Sequence, residues 1–122
     1  MSDLTHHTQR LNDLARTRPE TVNATWHMTR GVAHLLTGEN PPVDQPEAYA
    51  PERTAALRDA LALFKDWDSG NDPYGEHDFG ALELFGARLF FKIDLYEDTS
   101  VKSKNDPSSV KRVLTVMLAE EY

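Results

Sequence analysis

Cysteine is missing from the chain altogether, which excludes a disulfide framework, thiolate metal ligation and nucleophilic cysteine chemistry. A cytoplasmic setting is the expectation that fits. No apolar run approaches the roughly 18 to 20 residues a membrane span needs, and the start, MSDLTHHTQRLNDL, has neither the basic opening nor the apolar stretch of a signal peptide. No membrane partner is expected. The sequence also lacks a G-x-S-x-G elbow, a phosphate loop ending in G-K-[ST] and a G-x-G-x-x-G turn, so serine-hydrolase and nucleotide chemistry have no support.

Basic residues are scarce: 13 Lys and Arg face 20 Asp and Glu, a formal charge of -7 over 122 residues. The imbalance is local. Nine carboxylates lie between Asp66 and Asp98 against only Arg88 and Lys92, and the rest of the chain balances. Such a segment repels phosphate backbones and attracts cationic surfaces, so direct nucleic-acid binding is not expected and a basic partner is. Acidic residues also serve plain solubility.

The length suits one domain, 1–122, without staples. Leu4, Leu11, Leu14 and Ala15 give Asp3 to Arg18 a helical stripe, closed by Pro19, so 1–20 reads as an N-terminal helix. Val22, Ala24, Trp26 and Met28 alternate with polar residues as a half-buried strand does, with Gly31 at its end or at a bulge. Residues 37–51, with Pro41, Pro42, Pro46 and Pro51, read as a solvated loop. A second helix is expected from Pro51 to Asp66, its apolar side made by Ala56, Leu57, Ala60, Leu61, Leu63 and Phe64 and its stop at Ser69-Gly70-Asn71.

Residues 66–98 then form an acidic loop and a hairpin, Phe79 to Phe85 and Arg88 to Tyr96, turning at Gly86-Ala87. In its second arm Leu89, Phe91, Ile93 and Leu95 alternate with Phe90, Lys92, Asp94 and Tyr96. Glu97 to Ser109 is a polar connection, and Val113 to Ala119 reads as a central strand buried on both faces. The predicted fold is α+β: three to four mainly antiparallel strands with two helices packed on one face.

The loop SGNDPYGEHDFG, Ser69 to Gly80, is anchored at both ends in core elements, where function tends to sit. Its residues equally suit a turn, with Gly75 and Gly80 free to take positive φ and Asp72 restricted by Pro73. His77, Asp78 and Asp72 offer nitrogen and oxygen ligands for a transition metal, and His77 with Asp78 an acid-base pair. Against that, His6, His7, His27 and His34 show no metalloprotease spacing, and adjacent strand residues point apart. The acidic succession from Asp66 fails as a calcium loop, with Gly70 fifth, Asn71 sixth and His77 twelfth. No cofactor is expected.

NDPYGEHDFG (Asn71 to Gly80), FKIDLYE (Phe91 to Glu97), NDPSSVKRVLTVMLAEEY (Asn105 to Tyr122) and TRGV (Thr29 to Val32) together resemble a family of small proteobacterial proteins of unknown function, often carried on plasmids and other mobile elements. The likeness runs from Thr29 to Tyr122. The family's hairpin strand reads nearer to W-K-I-D-Y-Y-D, so Phe91, Leu95 and Glu97 are departures that conserve bulk and charge. The resemblance implies a genomic setting and no catalytic residues.

In that setting the acidic segment reads as the surface of a non-enzymatic binding protein. The function expected is inhibition of a bacterial immune effector, of anti-CRISPR or anti-restriction type, by occupying its basic nucleic-acid-binding surface. Its partner-binding residues would be Asp68, Asp72, Glu76, Asp78, Glu83, Asp94, Glu97 and Asp98. The alternatives are a small metal-dependent or acid-base enzyme centred on His77 and Asp78, and a structural or homodimeric module whose acidic loop only solubilises.

Overall fold

The alternation of Leu89, Phe91 and Ile93 with Arg88, Phe90, Lys92 and Asp94 builds the longest strand, and the sheet forms around it. The computed structural model describes residues 3–38, 49–67, 70, 72–97 and 110–122. They form α1 (Asp3–Thr17), β1 (Ala24–Met28), α2 (Arg30–Thr37), α3 (Pro51–Leu63), β2 (Phe79–Leu84), β3 (Ala87–Glu97) and β4 (Val110–Leu118). The fold is α+β, with sheet order β1-β4-β3-β2. Among the described residues no helix is long and apolar enough to cross a membrane.

The sheet is mainly antiparallel, as expected, but mixed: β3 is antiparallel to both β4 and β2, while β1 runs parallel to β4, with Trp26 beside Leu114. Alternation fixes which residues share a face but not strand direction, so the sequence left this open. β4 is central, as expected, but it is not buried on both faces. Arg112, Leu114 and Val116 are buried, whereas Val113 and Thr115 opposite are only half-buried and Met117 alone is covered there.

Among the described residues three α-helices form where two helices were expected. The missed one, α2, follows an extended Thr29 and ends at Gly38 in the left-handed region, and its Val32, Ala33 and Leu36 are buried. Gly31 therefore begins a helix rather than ending a strand. Pro51 does open α3, but the helix stops at Leu63 and Phe64 is already extended. Leu63, assigned to the apolar side, is 76% exposed, while Leu57 and Leu61 are buried. The hairpin turns at Phe85-Gly86, with φ of 56 and 73 degrees, one residue earlier than expected. That is the two-residue turn whose twist matches the strands. Glu97 belongs to β3, and the rest of the expected connection, 98–109, lies outside the described residues, as do 39–48 of the Pro-rich loop.

Ala15, Val32, Leu36, Leu57 and Leu61 from the helices join Leu89, Phe91, Ile93, Leu114 and Val116 in one buried cluster. The five strand residues alternate along β3 and β4, so they share one face of the sheet. Gly80 lies beside Phe91 at the β2–β3 pairing, and a Cβ there would stand 2.4 Å from the Phe91 ring and 2.7 Å from that of Phe64. The last glycine of the NDPYGEHDFG stretch is thus a packing requirement: two rings close over bare backbone.

Candidate functional site

Asp72, deprived of helical geometry by Pro73, turns its carboxylate back into the loop it begins. Its Oδ1 accepts the backbone N–H of His77 at 3.0 Å, and its carbonyl accepts that of Gly75 at 3.2 Å. These bonds support His77 at a φ of 57 degrees, a left-handed conformation that is uncommon for a side-chain-bearing residue. The imidazole then lies flat on Trp67, with ring centroids 4.0 Å apart and planes 5 degrees from parallel. Both ring nitrogens face carboxylates: Nδ1 is 2.8 Å from Asp13 and Nε2 is 3.7 Å from Asp72.

The loop is fastened from outside by α1. Gln9 Nε2 donates to the Gly75 carbonyl at 2.9 Å and Asn12 Nδ2 to that of Glu76 at 3.0 Å. Asn12 Oδ1 in turn accepts from Arg112 Nε at 2.8 Å, a bond buried beneath the loop. Burial lowers the pKa of Arg112. Arg16 donates to the carbonyls of Leu61 and Ala62, which closes the C-terminal end of α3, and to Asp13 at 3.1 Å. Gln9, Asn12, Asp13 and Arg16 fall at i, i+3, i+4 and i+7, the spacing of a buried helix face. Sequence reading passed over them because they are polar, although the spacing itself was the signal.

A second fastening joins the two ends of the quoted motifs. Glu121, in the short turn after β4, accepts from Thr29 Oγ1 at 2.5 Å, from the Gly31 N–H at 3.1 Å and from the Leu118 N–H at 2.7 Å. It supplies the carboxylate that the start of α2 would otherwise lack, since Thr29 makes no side-chain cap of its own. Burial pushes the Glu121 pKa up, but those bonds and nearby His34 together hold it below the ordinary value. A Cβ on Gly31 would stand 2.9 Å from that carboxylate.

Of the eight carboxylates named from sequence, the six that are described are not all turned outward. Asp68 and Asp98 lie outside the described residues. Asp72 is turned inward, its side chain only 4% exposed. Glu76 is partly buried, and Asp78 has its pKa raised, first by burial and then by the charges of Asp72 and Asp94, against a backbone hydrogen bond that lowers it. Asp94 pairs with Lys92 at 3.2 Å. Glu83 stands exposed on β2 opposite Arg88, and Glu97 is exposed at the end of β3.

His77 touches Asp13 and Asp72 rather than Asp78, so the histidine of the metal and acid-base readings already has carboxylates at both nitrogens. Among the described residues no group of three or more His, Asp or Glu is placed to hold a metal ion.

One outward feature was not foreseen. β2 pairs with β3 only as far as Lys92, and β1 pairs with β4 only from Arg112 onward. Beyond those points β3 and β4 continue, among the described residues, as a short two-stranded arm, Tyr96 and Glu97 against Val110 and Lys111, with Leu95 opposite Arg112 at its base. On it Leu95 is 51% exposed, Tyr96 55% and Val110 36%, beside the Asp94 and Glu97 carboxylates. By strand alternation Leu95, Glu97 and Val110 share one face and Asp94 and Tyr96 the other, so each face presents a large side chain next to a carboxylate, as a recognition element does.

A protein-family model described as "Protein of unknown function (DUF3768)" matches residues 28–121. The chain belongs to that family. No curated protein and no solved structure matches it. The family region contains the motif loop, the arm and both partners of the Glu121 fastening. It leaves out α1, so the helix that fastens the motif loop in this chain lies outside the family region.

Proposed function

We propose that this protein is a non-enzymatic acidic binding protein whose recognition element is the β3–β4 arm. The observation that carries the reading is the exposure of Leu95, Glu97 and Val110 on one face of the arm, with Tyr96 exposed on the other. Aliphatic side chains with a carboxylate between them on one face, and an aromatic ring on the other, suit a cationic surface that also has an apolar cleft for the arm. The net charge of -7 adds long-range attraction to such a partner. Among the described carboxylates of that set Glu83 and Glu97 are exposed for contact, Asp94 is shared with Lys92, and Asp72 serves the loop instead. The partner we infer is a basic bacterial protein of the nucleic-acid-binding immune-effector kind, inhibited in the anti-CRISPR or anti-restriction manner. An acidic arm seated on a surface evolved for phosphates is the physical content of that inference.

The test is affinity capture from the native host by the unaltered chain and by a Tyr96→Ser, Glu97→Lys variant. The unaltered chain is expected to retain a basic protein that added salt or duplex DNA releases, and the variant to retain none while its circular dichroism is unchanged. Equal capture by both, or capture indifferent to DNA, would refute the reading.

A further inference from the structure

Among the described residues β1 stands at the edge of the sheet, with β4 on one side and no strand on the other. The Asn23 carbonyl accepts the N–H of Arg112, and the Thr29 N–H donates to Val116. The odd-numbered residues of this segment therefore turn their backbone toward β4. By alternation, the N–H and C=O groups of Ala24, Trp26 and Met28 point away from the sheet. The strand, ATWHM, has no proline, no bulge and no charged side chain other than a histidine to guard that edge.

Beside this edge lies a cleft of about 610 Å3 lined by Thr17, Pro19, Glu20, Ala24, Trp26, Met28 and Arg58. Its floor is the three β1 residues whose backbones point outward, and their side chains share a face with Leu114 and Val116. Trp26 is fixed there because its Nε1 donates to the Ala15 carbonyl at 2.7 Å. Arg58 and Glu20 stand among the lining residues with opposite charges, and Arg58 is exposed with no ion pair among the described residues.

We infer that β1 and this cleft form a docking site for an extended peptide segment of a partner protein, added as a fifth strand. The edge selects an extended backbone through its outward N–H and C=O groups. The cleft selects apolar side chains at alternate positions, because an added strand about 4.8 Å away places every second residue over Trp26 and Met28. Arg58 selects a carboxylate at one end, and Glu20 disfavours one nearby, which orients the segment. A second copy of this chain fits less well, since each copy carries -7. This site is separate from the β3–β4 arm and does not depend on its role. Ala24 and Trp26 also precede the family region.

The test uses a short synthetic peptide alternating valine with threonine, ending in aspartate, followed by amide NMR and hydrogen exchange on the full chain. Saturable shifts and added protection at the Trp26 and Met28 amides support the site. N-methylation of the peptide amides that face β1 should abolish them, and methylation of the alternate amides should not. Arg58→Glu should weaken the aspartate peptide by about tenfold and favour one ending in lysine. Since Arg58 is exposed, this variant should keep the fold. The inference is overturned by no shifts at millimolar peptide, by equal binding of the N-methylated form, or by edge-amide shifts that follow protein concentration alone.

Discussion

The imidazole of His77 rests on the indole of Trp67 at 4.0 Å, and the same imidazole meets Asp13 of α1 at 2.8 Å. One side chain thus connects the motif loop to the segment after α3 and to the N-terminal helix. Its backbone conformation, φ of 57 degrees, is what aims the ring there.

His77→Ala removes the stack and the Asp13 contact, and it leaves the buried Asp72 carboxylate with one partner fewer. The expected loss is on the order of 2 kcal/mol, a fall in Tm of roughly 6 to 10 °C at this chain length. Thermal denaturation checks it. An unchanged Tm would mean that the loop is held by other contacts.

The link to α1 is measured by a cycle of Asp13→Asn, His77→Asn and the double variant. Because the two side chains touch, a coupling of about 0.5 to 3 kcal/mol is expected. Additive effects in urea denaturation would contradict the contact.

Gly80→Ala drives a methyl group into the rings of Phe91 and Phe64 and should cost about 1 to 3 kcal/mol. Gly86→Asn is the matched control. Its added Cβ meets nothing within 4 Å, and asparagine tolerates the left-handed turn, so its Tm should change little. A comparable loss in both variants would place the cost in backbone conformation rather than in packing.

Two carboxylates give opposite pH signatures. The pKa of Asp78 is raised by folding, so its ionisation works against the native state as pH climbs above the unfolded value of 3.8. Asp78→Asn should therefore gain stability relative to the unaltered chain between acid and neutral pH. The pKa of Glu121 is lowered, so its contribution is complete above the unfolded value of 4.5 and lost as pH falls through the folded one. Glu121→Gln should be less stable at neutral pH, by roughly 0.5 to 1 kcal/mol as expected for a helix-start carboxylate, and equal at strongly acid pH. Tm against pH for the three proteins reads both signs.

The sheet was legible where side chains alternate, because one residue in two had to be buried. Leu89, Phe91 and Ile93 revealed β3, and Pro51 revealed the start of α3. The parallel course of β1 was not, since Ala24, Trp26 and Met28 alternate identically in either direction. α2 escaped because it has barely two turns and carries a glycine in the first of them. The motif loop was found, yet its partners were not: Gln9, Asn12, Asp13 and Arg16 are polar, and a polar helical stripe reads as solvated until something polar is seen to cover it. The arm was hidden for a different reason. Leu95 and Tyr96 follow the period of β3 on its two faces, and it is β2, paired only as far as Lys92, that leaves their edge of β3 without a neighbouring strand among the described residues.

The most direct test of the binding role is a photo-crosslinking residue placed at Tyr96, with a control at Leu63, which is more accessible still but sits on α3. Illuminated in the native host, the position 96 variant is predicted to crosslink to one basic protein that the position 63 variant does not reach. Crosslinking from position 63 alone, or from neither position, would contradict the arm as the recognition element.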